Sequence, residues 1–520
     1  MATSPNNVEA NKTVAVIDVG SNSVWMVVAQ VPPSGPVEPL EQMRRPVHLG
    51  RDTFVAGRLG QRTMNAAIGV LRDYRKVLDG YRVAEVRAVA TSAVREAANA
   101  DAFLDRVFMT TGLDVEIIEP AEESRLIVGA ALEGVGEALD LAGSQTLIAD
   151  VGGGSALLSV LRGGEILATG TYRLGSIRLQ EVLATAHEPA ERAAAILRHE
   201  IDSVMVSIRS SLPLKEVASF IAIGGDARVA ARAVGSDAAA PGLHVIPAER
   251  FDRFVRQCAG RPADKLTGAF GIAFADAETL VPALLAYEAL LHETRATEMI
   301  VADVSMRDGL LLDLTRQARG QEDTALTGSI VRAARSIGEK YHYDEPHAAH
   351  VAELAGRIFD ALRADHGLGP RERLQLQLAA ILHDIGGYVS TRAHHKHSYY
   401  LVANSELFGL RREELAIVAH VARYHRRSAP KPSHLDYMTL PREKRLIVSK
   451  LAAILRVADS LDHSHSQQVR NVQFDRRGDE LVIAIAGVAD LTLERRSLYS
   501  RCDMFEDIYG MRIRLEEAEI

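Results

Sequence analysis

The chain contains two cysteines, Cys258 and Cys502, among its 520 residues. Two thiols are too few for a disulfide framework or a thiolate metal cluster, and they suit a reducing compartment. No apolar run approaches the ~18 residues that span a bilayer. The opening MATSPNNVEANKT lacks the basic and apolar regions of a secretory signal. The expectation is a cytoplasmic protein with no membrane partner. Positive charge is also scarce: 60 Lys and Arg against 68 Asp and Glu leave a net charge of −8. That balance excludes wholesale coating of nucleic acid, so no specific nucleic-acid partner is expected, although a local basic groove could still hold a polyanion. Low-complexity tracts are absent as well, and 47% apolar with 25% charged residues describes an ordinary globular chain. Its length exceeds what one core supports and implies three or four domains.

What is present begins with a repeat. VIDVGSNS (16–23) returns as IADVGGGS (148–155), 132 positions later, so that Asp18, Val19, Gly20 and Ser23 align with Asp150, Val151, Gly152 and Ser155. Residues 14–31 read as two β-runs around a Gly/Ser/Asn turn, and residues 146–170 repeat the plan. Duplication into two similar lobes is the simplest account. Between the hairpins, a helical pattern at 60–80, a strand EVRAVA at 85–90 and a helix near 92–109 alternate as α/β lobes do. The strand LDVEIIEP then leads into the helix AEESRLIVGAALEGV. After about residue 310 long helical patterns run to about 465, and NVQFDRRGDELVIAIAG closes the chain as a small β element. Composition thus places boundaries near 130, 312 and 473.

Glycine turns let backbone N–H groups converge on an anion without Cβ interference, and hydroxyl or amide side chains add donors. Gly20, Ser21, Asn22 and Ser23, with Gly152, Gly153, Gly154 and Ser155, are therefore candidate phosphate binders. Asp18 and Asp150 would repel phosphate directly, so their expected work is to hold a divalent cation against it. Neither serine is expected to be a nucleophile. A third glycine pair, in IAIGGDARVAARA (221–233), reads equally as a base-and-ribose turn or as a plain strand-to-helix turn.

These paired hairpins resemble the phosphate loops of the actin, sugar-kinase and heat-shock ATPase superfamily. DVGSNS, TSAVREA (91–97), EESRLI (122–127) and DVGGGS resemble more narrowly the exopolyphosphatase / guanosine pentaphosphate phosphatase family, and RYHRR (423–427) with LAAILRVADSLD (451–462) resemble its long form. The resemblance implies a multidomain α/β + α chain: two actin-like, ribonuclease H-like lobes at 1–130 and 131–312, an HD-like all-α domain at 313–473 and a small α+β domain at 474–520. It implies Mg²⁺ or another divalent cation, Glu123 as the base that activates water, and Arg95 as a phosphate ligand. By residue type alone Glu122 and Glu123 are equivalent first-turn carboxylates. The implied activity is an exopolyphosphatase releasing orthophosphate from inorganic polyphosphate. The alternatives are a guanosine pentaphosphate phosphohydrolase of the stringent response or a nonenzymatic sensor of polyphosphate or nucleotide. A homodimer is expected.

His347, His383, Asp384 and Asp459 resemble the metal-binding pattern of HD-domain phosphohydrolases, whose imidazoles and carboxylates suit a metal that activates water. The same helical domain serves equally as a binding surface with its fold retained. From Thr391 to His434 eight Lys or Arg face three Glu, with six of the 18 histidines. Arg392, Lys396, Arg423, Arg426 and Arg427 are expected to help line a track that leads polyphosphate to the N-terminal cleft.

Overall fold

The computed structural model describes residues 11–135, 143–238, 240–319, 324–405, 407, 409–426, 428–488 and 490–518. The chain forms two compact units, Met1–Gln321 and Glu322–Ile520. Among the described residues no single helix is long and apolar enough to cross a membrane.

In the first unit, β1 (Lys12–Val19), β2 (Ser23–Val31), β3 (Glu38–Pro46), β4 (Glu85–Ala90) and β5 (Val115–Ile117) form one sheet in the order β3-β2-β1-β4-β5. β1 pairs antiparallel with β2 and parallel with β4. Val14 to Val19 are all buried, as a strand covered on both faces requires. The second sheet contains β6 (Gln145–Val151), β7 (Ala156–Arg162), β8 (Glu165–Tyr172), β9 (Val217–Ile223), β10 (Ser236–Asp237), β11 (Leu243–Pro247) and β12 (Glu298–Ala302), in the order β10-β11-β12-β9-β6-β7-β8. Its run β8-β7-β6-β9-β12 has the same order and directions as β3-β2-β1-β4-β5. The repeat read in the sequence is thus present in the topology, with β11 and β10 added at one edge.

Three features depart from the sequence pattern. The helix expected near 92–109 is two helices, Ser92–Arg95 and Ala100–Thr111. Between them the Asn99 amide accepts from the Leu59 N–H at 2.9 Å and donates to the Leu59 carbonyl at 3.0 Å, an alternative to helical bonding that suits Asn. Two helices also run across expected boundaries, Pro120–Val135 over 130 and Met306–Ala318 over 312. These two pack on each other, and the second also packs on β1. Gly309 makes the approach possible: a Cβ there would lie 2.2 Å from the Leu126 carbonyl oxygen.

The second unit packs the helices Glu345–Ala361, Pro370–Leu382, His394–Ala403, Arg412–Tyr424 and Arg442–Leu461 beside a sheet of β13 (Asn471–Arg477), β14 (Glu480–Ala486) and β15 (Arg512–Ala518), ordered β13-β14-β15. Val472, Leu481 and Ile483 of the sheet join Leu451, Ile454 and Leu455 of the long helix in one apolar cluster. The segment after 473 therefore shares its core with the helices.

Gly309→Ala should wedge the two crossing helices apart at an overpacking cost of roughly 1–3 kcal/mol. Thermal denaturation checks this, with a lowered melting temperature expected and an unchanged one counting against the close approach.

Candidate active site

Both hairpin turns are closed by the same bond. The Gly20 N–H donates to the Ser23 carbonyl at 3.1 Å, and the Gly152 N–H donates to the Ser155 carbonyl at 2.9 Å. Asp18 pairs with Trp25 and Asp150 with Leu157, at equivalent registers beside the two turns. The turns face one cleft of about 420 Å³ lined by Gly20–Ser23, Gly152–Ser155, Asp18, Glu123 and Asp150. They also touch: a Cβ on Gly154 would lie 2.2 Å from Ser92 Oγ, and Ser92 Oγ is 3.1 Å from Ser21 Oγ. Arg178 fixes the second turn, its Nε donating to the Gly154 carbonyl at 2.6 Å while Nη2 reaches Glu96 at 2.5 Å. Asn22 Oδ1 is held by His48 Nδ1 at 2.8 Å, and Ser23 Oγ accepts from Arg44 Nε at 3.1 Å.

Adjacent glutamates on the helix Pro120–Val135 have opposite settings. Glu122 is buried and bonded by Arg125 Nε at 2.7 Å and Arg87 Nη2 at 3.0 Å. Both arginines also bind Asp313. Burial alone would raise the Glu122 pKa, but Arg125 and Arg87 pull it below the ordinary value. Glu123 points into the cleft, with Arg95 Nη1 at 3.3 Å. Burial raises its pKa, and Arg95 offsets only part of the rise. Asp18 is raised by burial despite Arg307 Nη1 at 3.2 Å. Asp150 is pushed up to about 7 by burial and then by the charge of Glu123. Asp226, from the third glycine turn, is also pushed to about 7, by burial and then by Asp276.

The sequence pattern did not single out the cations of this cleft. Arg44, Arg228, Arg232 and Arg307 line it; Arg44 and Arg307 come from segments with no motif of their own, and Arg228 and Arg232 follow the third glycine pair, where only the glycines drew attention. Trp25 also lines it, with the Arg307 guanidinium 4.1 Å and that of Arg44 5.2 Å from its ring centre. Arg95, expected as a phosphate ligand, does not line the cleft. Its Nη1 donates to the Ile118 carbonyl at 2.6 Å and to Glu123, because the short helix carrying it ends behind that carboxylate. The turn Gly224–Gly225 opens onto the same cleft, with Gly224 at φ 128°.

In the second unit His347, His383, Asp384 and Asp459 lie together. His347 Nε2 is 3.5 Å and His383 Nε2 3.8 Å from Asp459 Oδ1, and Asp384 Oδ2 is 3.6 Å from His383 Nε2. His394 and His425, which the four-residue pattern did not include, join them at Asp384 Oδ1, at 3.1 and 3.5 Å. Of the basic residues expected along a track, Arg392 and Lys396 are exposed. Arg423 is half-buried, 3.5 Å from Asp436 and over the Tyr399 ring. Arg426 is half-buried, and Arg427 lies outside the described residues.

The family model described as the Ppx/GppA phosphatase family matches residues 27–318, and domain III of the same family matches residues 331–500. The chain is similar to a protein of Vibrio campbellii named guanosine-5'-triphosphate,3'-diphosphate pyrophosphatase, 23% identical over 91% of each chain. A Photobacterium profundum protein of the same name is 24% identical over 85% of this chain and 84% of its own. Among solved structures, one described as an exopolyphosphatase from Cytophaga hutchinsonii covers 60% of this chain and 99% of its own at 22% identity, with a TM-score of 0.54. That likeness shows the fold.

The two glutamates should separate in a stability assay. Glu122→Gln leaves the buried Arg125 and the half-buried Arg87 short of charge and should cost about 3–5 kcal/mol, whereas Glu123→Gln should leave the melting temperature unchanged or raised. Equal melting temperatures for the two variants would contradict these settings. Asp150 gives a pH-dependent case. Its folded pKa lies above the ordinary 3.8, so the cost of ionising it is absent at low pH and complete above about pH 7. In chelator, Asp150→Asn should melt several degrees above the wild type at pH 8, by at most about 4 kcal/mol, and the gap should close near pH 4.

Proposed function

The chain belongs to the Ppx/GppA phosphatase family, and from that premise we propose that its first unit is an exopolyphosphatase that removes the terminal phosphate of inorganic polyphosphate. The observation that carries this reading is Glu123 standing in one cleft with both glycine turns. The turns would hold the terminal phosphates, and Arg44, Arg228 and Arg307 would neutralise their oxygens. Asp18 Oδ1 is buried with no hydrogen-bond partner, and Asp150 is pushed up to about 7. Such an all-oxygen donor set fits a hard divalent cation such as Mg²⁺. When bound, the cation would supply charge neutralisation of the phosphate oxygens.

Glu123 is then the base. Its raised pKa reflects a carboxylate that gains by taking a proton from an attacking water. The water oxygen bonds to the terminal phosphorus, the phosphoanhydride P–O bond breaks, and orthophosphate leaves with the chain shortened by one unit. Arg95 positions Glu123 instead of gripping phosphate. In this reading the exposed Arg392 and Lys396 of the second unit contact long polymer.

A second reading, hydrolysis of guanosine pentaphosphate to the tetraphosphate, is favoured by the name carried by relatives that cover nine-tenths of the chain. The Gly224–Gly225 turn beside the cleft would then meet the nucleoside.

Orthophosphate release measured side by side on polyphosphate and guanosine pentaphosphate decides between the two. Release from polyphosphate should dominate, and Glu123→Gln should slow it by roughly 10²- to 10⁴-fold. Faster release from the nucleotide moves the assignment to the second reading, and undiminished release by the variant overturns the role of Glu123. Trp25 is the single tryptophan, so its fluorescence reports cleft binding alone. A fluorescence change with no phosphate release from either compound would make the chain a sensor.

A further inference from the structure

One buried hydroxyl behind the cleft of the first unit serves two of its turns at once. The helix Phe274–His292 packs on β6 and buries an apolar side that includes Leu280, Ala283, Leu284, Leu290 and Leu291. Tyr287 lies among them with no exposed surface. A phenol hydroxyl in apolar surroundings must find partners within the protein, and this one finds two. It accepts from the Val151 N–H at 3.1 Å and donates to the Ile223 carbonyl. Its proton and one of its lone pairs are thereby used.

The two partners are strand ends. Val151 closes β6 and Ile223 closes β9. These strands run parallel, and their last aligned pair is Asp150 with Ile223. Beyond that pair the chains part, β6 into the turn Gly152–Ser155 and β9 into Gly224 and the helix Gly225–Val234. Backbone groups at such a divergence lose the partner that a continuing ladder would give, and burying them without one is costly. The Tyr287 hydroxyl stands where the next rung would be. A phenylalanine would fill nearly the same space and leave both groups without this partner.

Gly224 makes the approach possible. It adopts φ 128°, and a Cβ there would lie 2.9 Å from the Tyr287 hydroxyl, 3.3 Å from Asp150 Oδ1 and 3.4 Å from the Val151 carbonyl oxygen. The bare backbone of the third glycine turn therefore gives room to the hydroxyl and to the Asp150 carboxylate together. Three segments meet at one oxygen: the end of β6 with Asp150, the end of β9 with Gly224, and the helix that carries the phenol.

We propose that Tyr287 is a positioning residue for the phosphatase reaction, its hydroxyl tying the ends of β6 and β9 so that Asp150 and the turn Gly152–Ser155 hold one setting against Gly224–Gly225. The proposal rests on the reading of this cleft as the phosphatase site. Tyr287 does not line the cleft, so it acts through Asp150 and the turns.

Tyr287→Phe removes one oxygen and keeps the packing. Amide hydrogen exchange on the full chain without ligand, resolved to single residues, reads the tie directly. Exchange at Val151, across 152–155 and across 224–226 should quicken roughly tenfold, with the first turn, 20–23, unchanged. Equal rates in parent and variant, or a rise spread evenly over the unit, would overturn the proposal. Kinetics read the consequence. The KM for whichever of polyphosphate and guanosine pentaphosphate the parent hydrolyses should rise roughly tenfold, whereas a smaller folded fraction lowers kcat and leaves KM alone. An unchanged KM overturns the positioning role. A parent that hydrolyses neither compound overturns the reading of the cleft, while the exchange pattern separately upholds or overturns the tie. Should the variant fail to fold, the parent alone answers: a Val151 amide that exchanges as fast as an unstructured segment overturns the proposal, and a protected one upholds it.

Discussion

The first unit is organised by a shortage of positive charge where its strands end. Asp18, Glu123, Asp150 and Asp226 are carried into one cleft by four different segments; burial raises the pKa of each, and repulsion from neighbouring carboxylates adds to the rise at Glu123, Asp150 and Asp226. Carboxylates crowded in this way are stable only when cations answer them. Arg307, Arg95 and Arg228 answer some of that charge, and the uncompensated remainder favours a divalent ion. The same arrangement would suit a substrate with several negative oxygens, because it would meet arginines on arrival.

Precision in this cleft comes from contacts outside it. The buried pairing of Glu122 with Arg87, Arg125 and, through them, Asp313 joins the helix Pro120–Val135 to β4 and to the helix Met306–Ala318. That network fixes the rotation of the first helix, so Glu123, one residue on, is delivered to the cleft. Glu122 is therefore a positioning residue. Arg178 has the matching role for the second turn, gripping the Gly154 carbonyl while stacked over Phe54. Glu96 closes that arrangement from the first half of the unit. A shift of either turn would break bonds in the other half, and the two glycine turns consequently hold one relative position.

The hairpins were legible because their information is local. Asp, Gly and Ser at fixed offsets specify a strand end and a tight turn, and the identical closing bonds at Gly20 and Gly152 are the physical content of that spacing. The doubled sheet order followed from the same repeat. By residue type Glu122 and Glu123 were not separable, and only the family resemblance favoured Glu123, because their difference lies in Arg87 and Asp313, 35 residues before and 191 after Glu122. Arg307 and Arg44 escaped notice for the same reason: an isolated arginine acquires a role only when the fold brings a carboxylate or a turn to it. In the second unit His383 and Asp384 stood out as an adjacent pair at a helix end. His394 was hidden in the run HHKH, where spacing does not say which ring turns inward, and His425 was noticed only as part of a basic segment.

The contrast between the two clusters bears on how one chain could keep two kinds of cation apart. The cleft carboxylates offer oxygen alone, and at Asp150, pushed up to about 7, a proton would compete with a cation near neutral pH. Magnesium tolerates such a site because it binds few protein oxygens and keeps its waters. The histidine cluster presents nitrogen lone pairs already oriented by backbone carbonyls, so little reorganisation is needed when a softer ion enters. A transition ion gains more from imidazole than magnesium does. Donor type alone would therefore favour different ions at the two clusters, a hard cation at the oxygens and a softer one at the imidazoles. This selectivity needs no contact between the clusters, because it follows from side chains that each unit fixes within its own core.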